Sequence, residues 1–136
     1  MSLFVDTSVW SLALRRDPPD TCAQVTKLAR ALDEGDTILT TGLVLQELLQ
    51  GFSGPKARIL ILEHFSAVPL LSPDRDDYIE AATLRNSCRR NGVQAGTIDA
   101  LIAQLCIRHI LTLLTTDRDF EHIAKHSELK VWRPGA

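Results

Sequence analysis

The sequence predicts an α/β protein built on a short, mostly parallel sheet of five strands. Two observations carry this. Short apolar runs alternate with longer stretches of helical period along the whole chain, with no low-complexity linker or internal repeat between them, which is the organisation of βαβ units. The first run, Leu3-Phe4-Val5, ends abruptly in Asp6-Thr7-Ser8, as a buried strand does when it delivers polar groups to its carboxyl end. At 136 residues with 45% hydrophobic content, the chain suits one domain over 1–136, long enough to bury a core and too short for two domains of ordinary size.

After this first strand, Val9 to Leu14 reads as a helix stopped by Arg15-Arg16-Asp17-Pro18-Pro19. Asp20 or Thr21 is positioned to cap a second helix, which Gly35 ends. Thr37 to Thr40 forms the second strand. Thr41 caps a third helix through Gln50 with Gly51 just beyond its end, and Gly54-Pro55 opens a fourth that runs to about Phe65. Ala67 to Leu70 follows as a strand that Pro69 marks as an edge. Ser72-Pro73-Asp74 starts a helix reaching Asn91-Gly92, and Gly96-Thr97 starts another reaching His109. Leu111 to Thr116 is the fourth strand, Asp117 opens a short helix, and Lys130 to Trp132 is the last strand before Arg133-Pro134-Gly135-Ala136. Five strands and about seven helices are expected.

Composition excludes several classes of function. A formal net charge of -2 with 15 Lys+Arg argues against a polybasic nucleic-acid binder, so affinity for phosphate has to come from a local patch or from bound cations. Met1-Ser2-Leu3 leads at once to Asp6, leaving no room for a secretory apolar segment, and no apolar run approaches membrane-spanning length; a cytoplasmic protein with no membrane partner is expected. Cys22, Cys88 and Cys106 are odd in number and form no C-x-x-C pair, which speaks against a disulfide framework or a zinc knuckle.

Function must therefore be sought where acids converge. Crossover helices run antiparallel to the strands they connect, so their N-termini lie at the carboxyl edge that Asp6 occupies, where open α/β sheets bind ligands. Asp117 and Asp119 leave the fourth strand, Asp99 stands at the second position of its helix, and Glu47 lies nearly two turns into the helix after strand two. At about 100° per residue, Glu47 falls inside an apolar arc between Leu43 and Val44, and a carboxylate facing inward costs several kcal/mol unless something compensates. Two such charges about 4 Å apart repel by roughly 4 kcal/mol at an effective dielectric of 20. A divalent metal relieves that repulsion.

Each acid alone has a plainer reading. Asp6 and Asp117 can cap helices, Thr116 with Asp119 resembles a capping box, and Asp99 gains from the helix dipole. Glu47 has no such explanation, and it is the convergence that favours a site. His122 and His126 have zinc-ligand spacing but no H-E-x-x-H and no third ligand, so they read as a solvated helix face. His109 reads along the apolar arc at its helix end. Arg85, Arg89 and Arg90 form a basic helix end that could also serve as a phosphate rail, as could Arg15-Arg16. No G-x-x-x-x-G-K-[ST] or G-x-G-x-x-G motif is present.

Four blocks in order, F-V-D-T-S-V-W at 4 to 10, T-G-L-V-L-Q-E-L-L-Q-G at 41 to 51, G-T-I-D-A-L-I-A at 96 to 103 and L-L-T-T-D-R-D-F at 113 to 120, resemble PIN domains of the VapC toxin type over nearly the whole chain. The resemblance implies a three-layer α/β/α fold and a metal-dependent endoribonuclease, often dimeric and paired with a small antitoxin protein. The matching acids are Asp6, Glu47, Asp99 and Asp117, with Asp119 a variable participant. Hard oxygen ligands select Mg²⁺ or Mn²⁺. Asp6 and Asp99 are the expected direct ligands, Glu47 and Asp117 complete a second metal position or hold metal-bound waters, and Ser8 and Thr116 orient carboxylates from behind. The expected substrate is RNA in single-stranded or loop regions.

A competing reading from another class is a phospho-acceptor or metal-binding regulatory module, since acids at strand ends also describe receiver domains. That reading wants a lysine at a strand end near the acids. Lys27, Lys56, Lys125 and Lys130 do not occupy one, and Glu47 would have no role.

Overall fold

A computed structural model describes residues 1–15 and 22–135. The proposed caps Asp20 and Thr21, the stop at 16–19 and the terminal Ala136 lie outside the described residues. The elements are β1 (Ser2–Val5), α1 (Thr7–Ala13), α2 (Ala23–Asp33), β2 (Thr37–Thr41), α3 (Gly42–Gly51), α4 (Pro55–Phe65), β3 (Leu70–Leu71), α5 (Arg75–Arg90), α6 (Thr97–Arg108), β4 (Thr112–Leu114), α7 (Asp119–Lys125) and β5 (Lys130–Val131). The five strands form one sheet in the order β3-β2-β1-β4-β5, with parallel pairing of β1 to β2, β2 to β3 and β4 to β5. Pro69 precedes β3 at the sheet's edge, and its carbonyl accepts the Thr40 N–H at 3.2 Å. No helix among the described residues is long and apolar enough to cross a membrane.

The chain divides into two compact units, Met1–Ser72 with Leu114–Thr116, and Pro73–Leu113 with Asp117–Ala136. In the first, β1 is buried along Leu3, Phe4 and Val5, and its register with β2 pairs Ser2 with Thr37 and Phe4 with Leu39. Helices α1, α2, α3 and α4 bring Val9, Trp10, Leu28, Val44, Leu48, Ile61 and Phe65 into this core, where the Trp10 and Phe65 rings meet at 4.9 Å with a 50° tilt. In the second, α6 buries Ala100 to Ala103, Leu105 and Cys106, a nearly continuous apolar surface that packs against α5.

Helix ends differ from expectation for identifiable reasons. Cys22 holds the cap position of α2 with no side-chain hydrogen bond. Helix α1 starts two residues early, at Thr7, and Gly51 is the last residue of α3, with Phe52 as its cap. The capping box at Thr116 and Asp119 does not form: α7 begins at Asp119 behind Arg118, and Asp117 Oδ1 instead accepts the Asp119 N–H at 2.9 Å. The box that does form is at α5, where Asp74 and Asp77 exchange backbone hydrogen bonds at 3.0 Å each. There Arg108, from the far end of α6, reaches Asp77 Oδ2 at 2.5 Å and Asp74 Oδ2 at 2.9 Å. Asp77 is fully buried, so the guanidinium compensates a desolvated carboxylate that water cannot reach.

Helices α2, α5 and α6 end in the same turn. At α2 and α5 the residue after the cap is Gly35 (φ 71) or Gly92 (φ 78), each in the left-handed region, and the following N–H closes back onto Ala31 or Cys88, a Schellman motif. Helix α6 closes identically, from Leu111 N–H to the Cys106 carbonyl, but the left-handed position holds Ile110 (φ 54). A β-branched residue there carries strain of about 1–2 kcal/mol, and at 81% exposure Ile110 recovers little by burial.

Two predictions follow from these helix ends. Ile110→Gly should raise stability by about 0.5–1 kcal/mol, the relieved strain exceeding glycine's extra unfolded-state entropy; a urea midpoint equal to or below wild type would contradict the strain. The second concerns acid. The hydrogen bond from Asp77 and the Arg108 charge hold the Asp74 carboxyl below its ordinary value of 3.8, so its contribution is complete above that pH and disappears as pH falls through the lowered value. Wild type should lose more stability than Asp74→Asn between neutral pH and pH about 3, and parallel melting curves for the two would refute the linkage.

Candidate active site

In the first unit the site is built around Asp6. It stands directly after β1 and in the cap position of α1, yet its side chain makes no cap hydrogen bond. Its Oδ2 instead accepts two hydroxyls, Ser8 Oγ at 2.9 Å and Thr115 Oγ1 at 2.9 Å. Ser8 Oγ in turn accepts the Thr116 N–H at 3.0 Å and lies 3.2 Å from Thr115 Oγ1. The Asp6 N–H donates to the Leu114 carbonyl at 3.0 Å. With 7% of its surface exposed, Asp6 needs these donors to exist as a charge, and their one-sided placement leaves Oδ1 without a hydrogen bond among the described residues. Fixing one oxygen while the other stays available is what a ligand carboxylate requires.

Ser8 thus takes the orienting role that the sequence predicted, but Thr116 does not. The buried hydroxyl is that of Thr115, and Thr116 is exposed and contributes its backbone N–H. Adjacent residues leaving a strand turn to opposite sides, so only one of the two threonines could serve. The buried run Leu113 and Leu114 does not by itself say which.

Glu47 corrects a stronger expectation. It is exposed, not turned into the core, so the cost of burying its charge does not arise. The helical wheel located the apolar face of α3, carried by Val44 and Leu48, but nothing covers the turn where Glu47 stands. Its Oε1 accepts the Thr7 hydroxyl at 3.3 Å. Since Thr7 follows Asp6, Glu47 is tied to the carboxyl end of β1. Thr41 performs the cap predicted for it, accepting the Val44 N–H at 3.4 Å, and so fixes where α3 starts.

In the second unit, Asp99, Asp117 and Asp119 offer one ligand oxygen each, all within 4.8 Å of one another. Asp99 is the third residue of α6 rather than the second, because Gly96 is the cap. It is half-buried, and Asp119 is exposed. Three carboxylate oxygens at this separation fit a hard divalent cation, whose ligand shell is oxygen and whose charge offsets their repulsion. Asp119 belongs fully to the group, held by the bond from its own N–H to Asp117.

The remaining candidates are structural. His122 and His126 are exposed, with His126 capping the end of α7. His109 also caps its helix and is exposed rather than lying on the apolar arc. Burial pushes the Cys88 thiol up.

Comparison with known proteins gives the family. Residues 3–126 match the PIN domain family. The chain belongs to that family. Ribonuclease VapC11 of Mycobacterium tuberculosis is 28% identical over 130 residues, which cover 94% of this PIN domain chain and 96% of the relative. Two solved structures share the fold: VapBC2 from Rickettsia felis, determined with a DNA fragment from their promoter, at TM-score 0.74 and 22% identity over 97% of this chain and 98% of the other, and Mycobacterium tuberculosis VapC20, described as a sarcin-ricin loop cleaving toxin, at TM-score 0.66 and 21% identity over 94% and 98%.

For this PIN domain the hydroxyl pair on Asp6 is directly testable. Thr115→Val keeps the shape and removes one donor to a buried carboxylate, so it should cost about 1.5–3 kcal/mol in chemical unfolding. A change under about 0.5 kcal/mol would mean that Ser8 alone suffices.

Proposed function

We propose that this protein is a divalent-metal-dependent endoribonuclease, the toxin of a toxin-antitoxin pair, acting in the cytoplasm on single-stranded or loop regions of RNA. Asp6, Glu47, Asp99 and Asp117 are its catalytic acids, with Asp119 as a further ligand. The observation that carries the reading is the set of three carboxylate oxygens from Asp99, Asp117 and Asp119 within 4.8 Å, in a chain whose family match runs from residue 3 to 126. The names of its relatives, a VapC ribonuclease and a loop-cleaving toxin, supply the reaction class. The likeness to VapBC2 supports a small antitoxin as partner, and a homodimer is the proposed assembly.

The chain's residues divide the work. Asp99, Asp117 and Asp119 would hold Mg²⁺ or Mn²⁺, and Asp6, oriented through Oδ2 by Ser8 and Thr115, would serve as a further ligand. A metal held by these acids would supply activation of a water, orientation of the scissile phosphate and stabilisation of charge on the departing oxygen. The Thr7 hydroxyl holds Glu47 at the end of β1 through Oε1. The Asp119 N–H fixes one oxygen of Asp117, which limits the rotation of that carboxylate.

The test is incubation of the pure protein with total RNA, with and without Mg²⁺ or Mn²⁺, followed by mapping of the ends. Metal-dependent cleavage leaving 5′-phosphate and 3′-hydroxyl ends is expected, with Asp6→Asn and Asp99→Asn each losing at least about 10²-fold. Cyclic 2′,3′-phosphates would overturn the mechanism, and full activity in either variant would remove that residue from it. Metal should also act without RNA. At 100 times its dissociation constant, one site confined to the folded state adds about 2.7 kcal/mol, so the melting temperature should rise with Mn²⁺ and much less with monovalent salt of matched ionic strength. Asp117→Asn should shrink that rise, and an undiminished rise would place the metal elsewhere.

A further inference from the structure

The basic end of α5 borders a concavity that the mechanism above does not use. Arg85, Arg89, Val93, Gln94, Ala95 and Gly96 line a pocket of about 350 Å³ within the second unit. Its form follows from the turn after α5, where Gly92 in the left-handed region folds 93–96 back along the helix. The Arg85 Nε donates to the Ala95 carbonyl at 2.9 Å, which anchors the guanidinium over this loop and leaves its two terminal nitrogens for another partner. Among the described residues, neither Arg85 nor Arg89 is in an ion pair. Two cations left without a carboxylate in one pocket are unusual in a chain of net charge -2, whose other well-placed arginines, Arg108 and Arg133, are each paired with acids.

Gly96 lines the pocket and also stands beside Asp99. A side chain added at Gly96 would stand 3.7 Å from Asp99 Oδ2, so the acid lies directly against a residue that lines the pocket. We propose that this pocket binds a backbone phosphate of the RNA substrate next to the one being cleaved, with Arg85 and Arg89 as the phosphate-holding residues. The inference rests on the ribonuclease reading and specifies where its substrate runs. Guanidinium forks match phosphate oxygens in pairs, and no aromatic side chain lines the pocket to stack a base. The contact is therefore to the backbone and independent of base identity, which positions the strand without selecting its sequence.

The experiment measures binding of a single-stranded RNA oligonucleotide to the full-length protein in EDTA, across a range of monovalent salt, for wild type, Arg89→Ala and Arg90→Ala. Arg90 is the control because it shares the helix end and the charge but does not line the pocket. Arg89→Ala should weaken binding about tenfold and flatten the slope of log K against log salt by about 0.7, the value for one phosphate on a single strand; Arg90→Ala should leave both near wild type. Equal effects of the two variants would reduce the pocket to diffuse surface charge, and no effect of Arg89→Ala would remove it from the RNA path; either result overturns the proposal. Arg85→Ala adds a second reading if its circular dichroism matches wild type, and Arg89→Ala decides the matter alone if it does not. Failure of the ribonuclease reading looks different: wild type would bind RNA with this arginine dependence yet not cleave it when metal is added.

Discussion

A carboxylate with 7% exposure has to find its solvation in the protein, and the placement of Asp6 depends on meeting that demand. Burying an ionised group without partners is prohibitive, so the strand that carries Asp6 must end where hydroxyls and a backbone carbonyl already wait. Ser8 and Thr115 supply the hydroxyls, and Leu114 takes the Asp6 N–H. Those requirements fix the end of β1 against the segment 114–116 and fix the entry of α1. The same residue in an exposed position would cap α1 in the ordinary way. Here the stronger demand wins, and α1 goes without a side-chain cap.

The second unit solves a comparable problem by a different route. Asp77 is as buried as any residue in the molecule, and Arg108 together with the α5 capping box satisfies its Oδ2. Its Oδ1 has no hydrogen-bond partner among the described residues, a deficit of about 1–3 kcal/mol that the arginine's charge offsets. At the other end of α6, Asp99 joins Asp117 and Asp119 with one oxygen of each within 4.8 Å of the others, a spacing that suits a divalent cation. Arg108 thus serves structure at one end of the helix, and the acids gather at the other.

Much of this was legible in the sequence. Periodicity gave the class and the order of all twelve elements, because short apolar runs and longer stretches of helical period carry distinct patterns. The grouping of Asp99, Asp117 and Asp119 was legible too, since each follows a strand or opens a helix. What could not be read was the covering of each face. A helical wheel ranks Glu47 with its apolar neighbours, but whether a neighbouring element comes down over that turn is a tertiary fact, and none does. The choice between Thr115 and Thr116 depends on the parity with which the chain leaves β4, a shift of one residue that composition does not encode. The left-handed Ile110 was hidden for the same reason: the turn is closed by backbone bonds, and the sequence signal for it, a glycine, is missing.

The separation of Asp6 from Thr115 along the chain bears on how such a protein is made. One of the two hydroxyl donors to the carboxylate lies 109 positions later along the chain. At about 5–20 residues per second, the acid waits roughly 5–20 s before its final partner has been synthesised, and Thr116, whose N–H anchors Ser8, arrives last. A nascent chain therefore holds Asp6 without its ordering hydroxyl throughout that interval, and the carboxylate is fixed only once the segment 114–116 has been made.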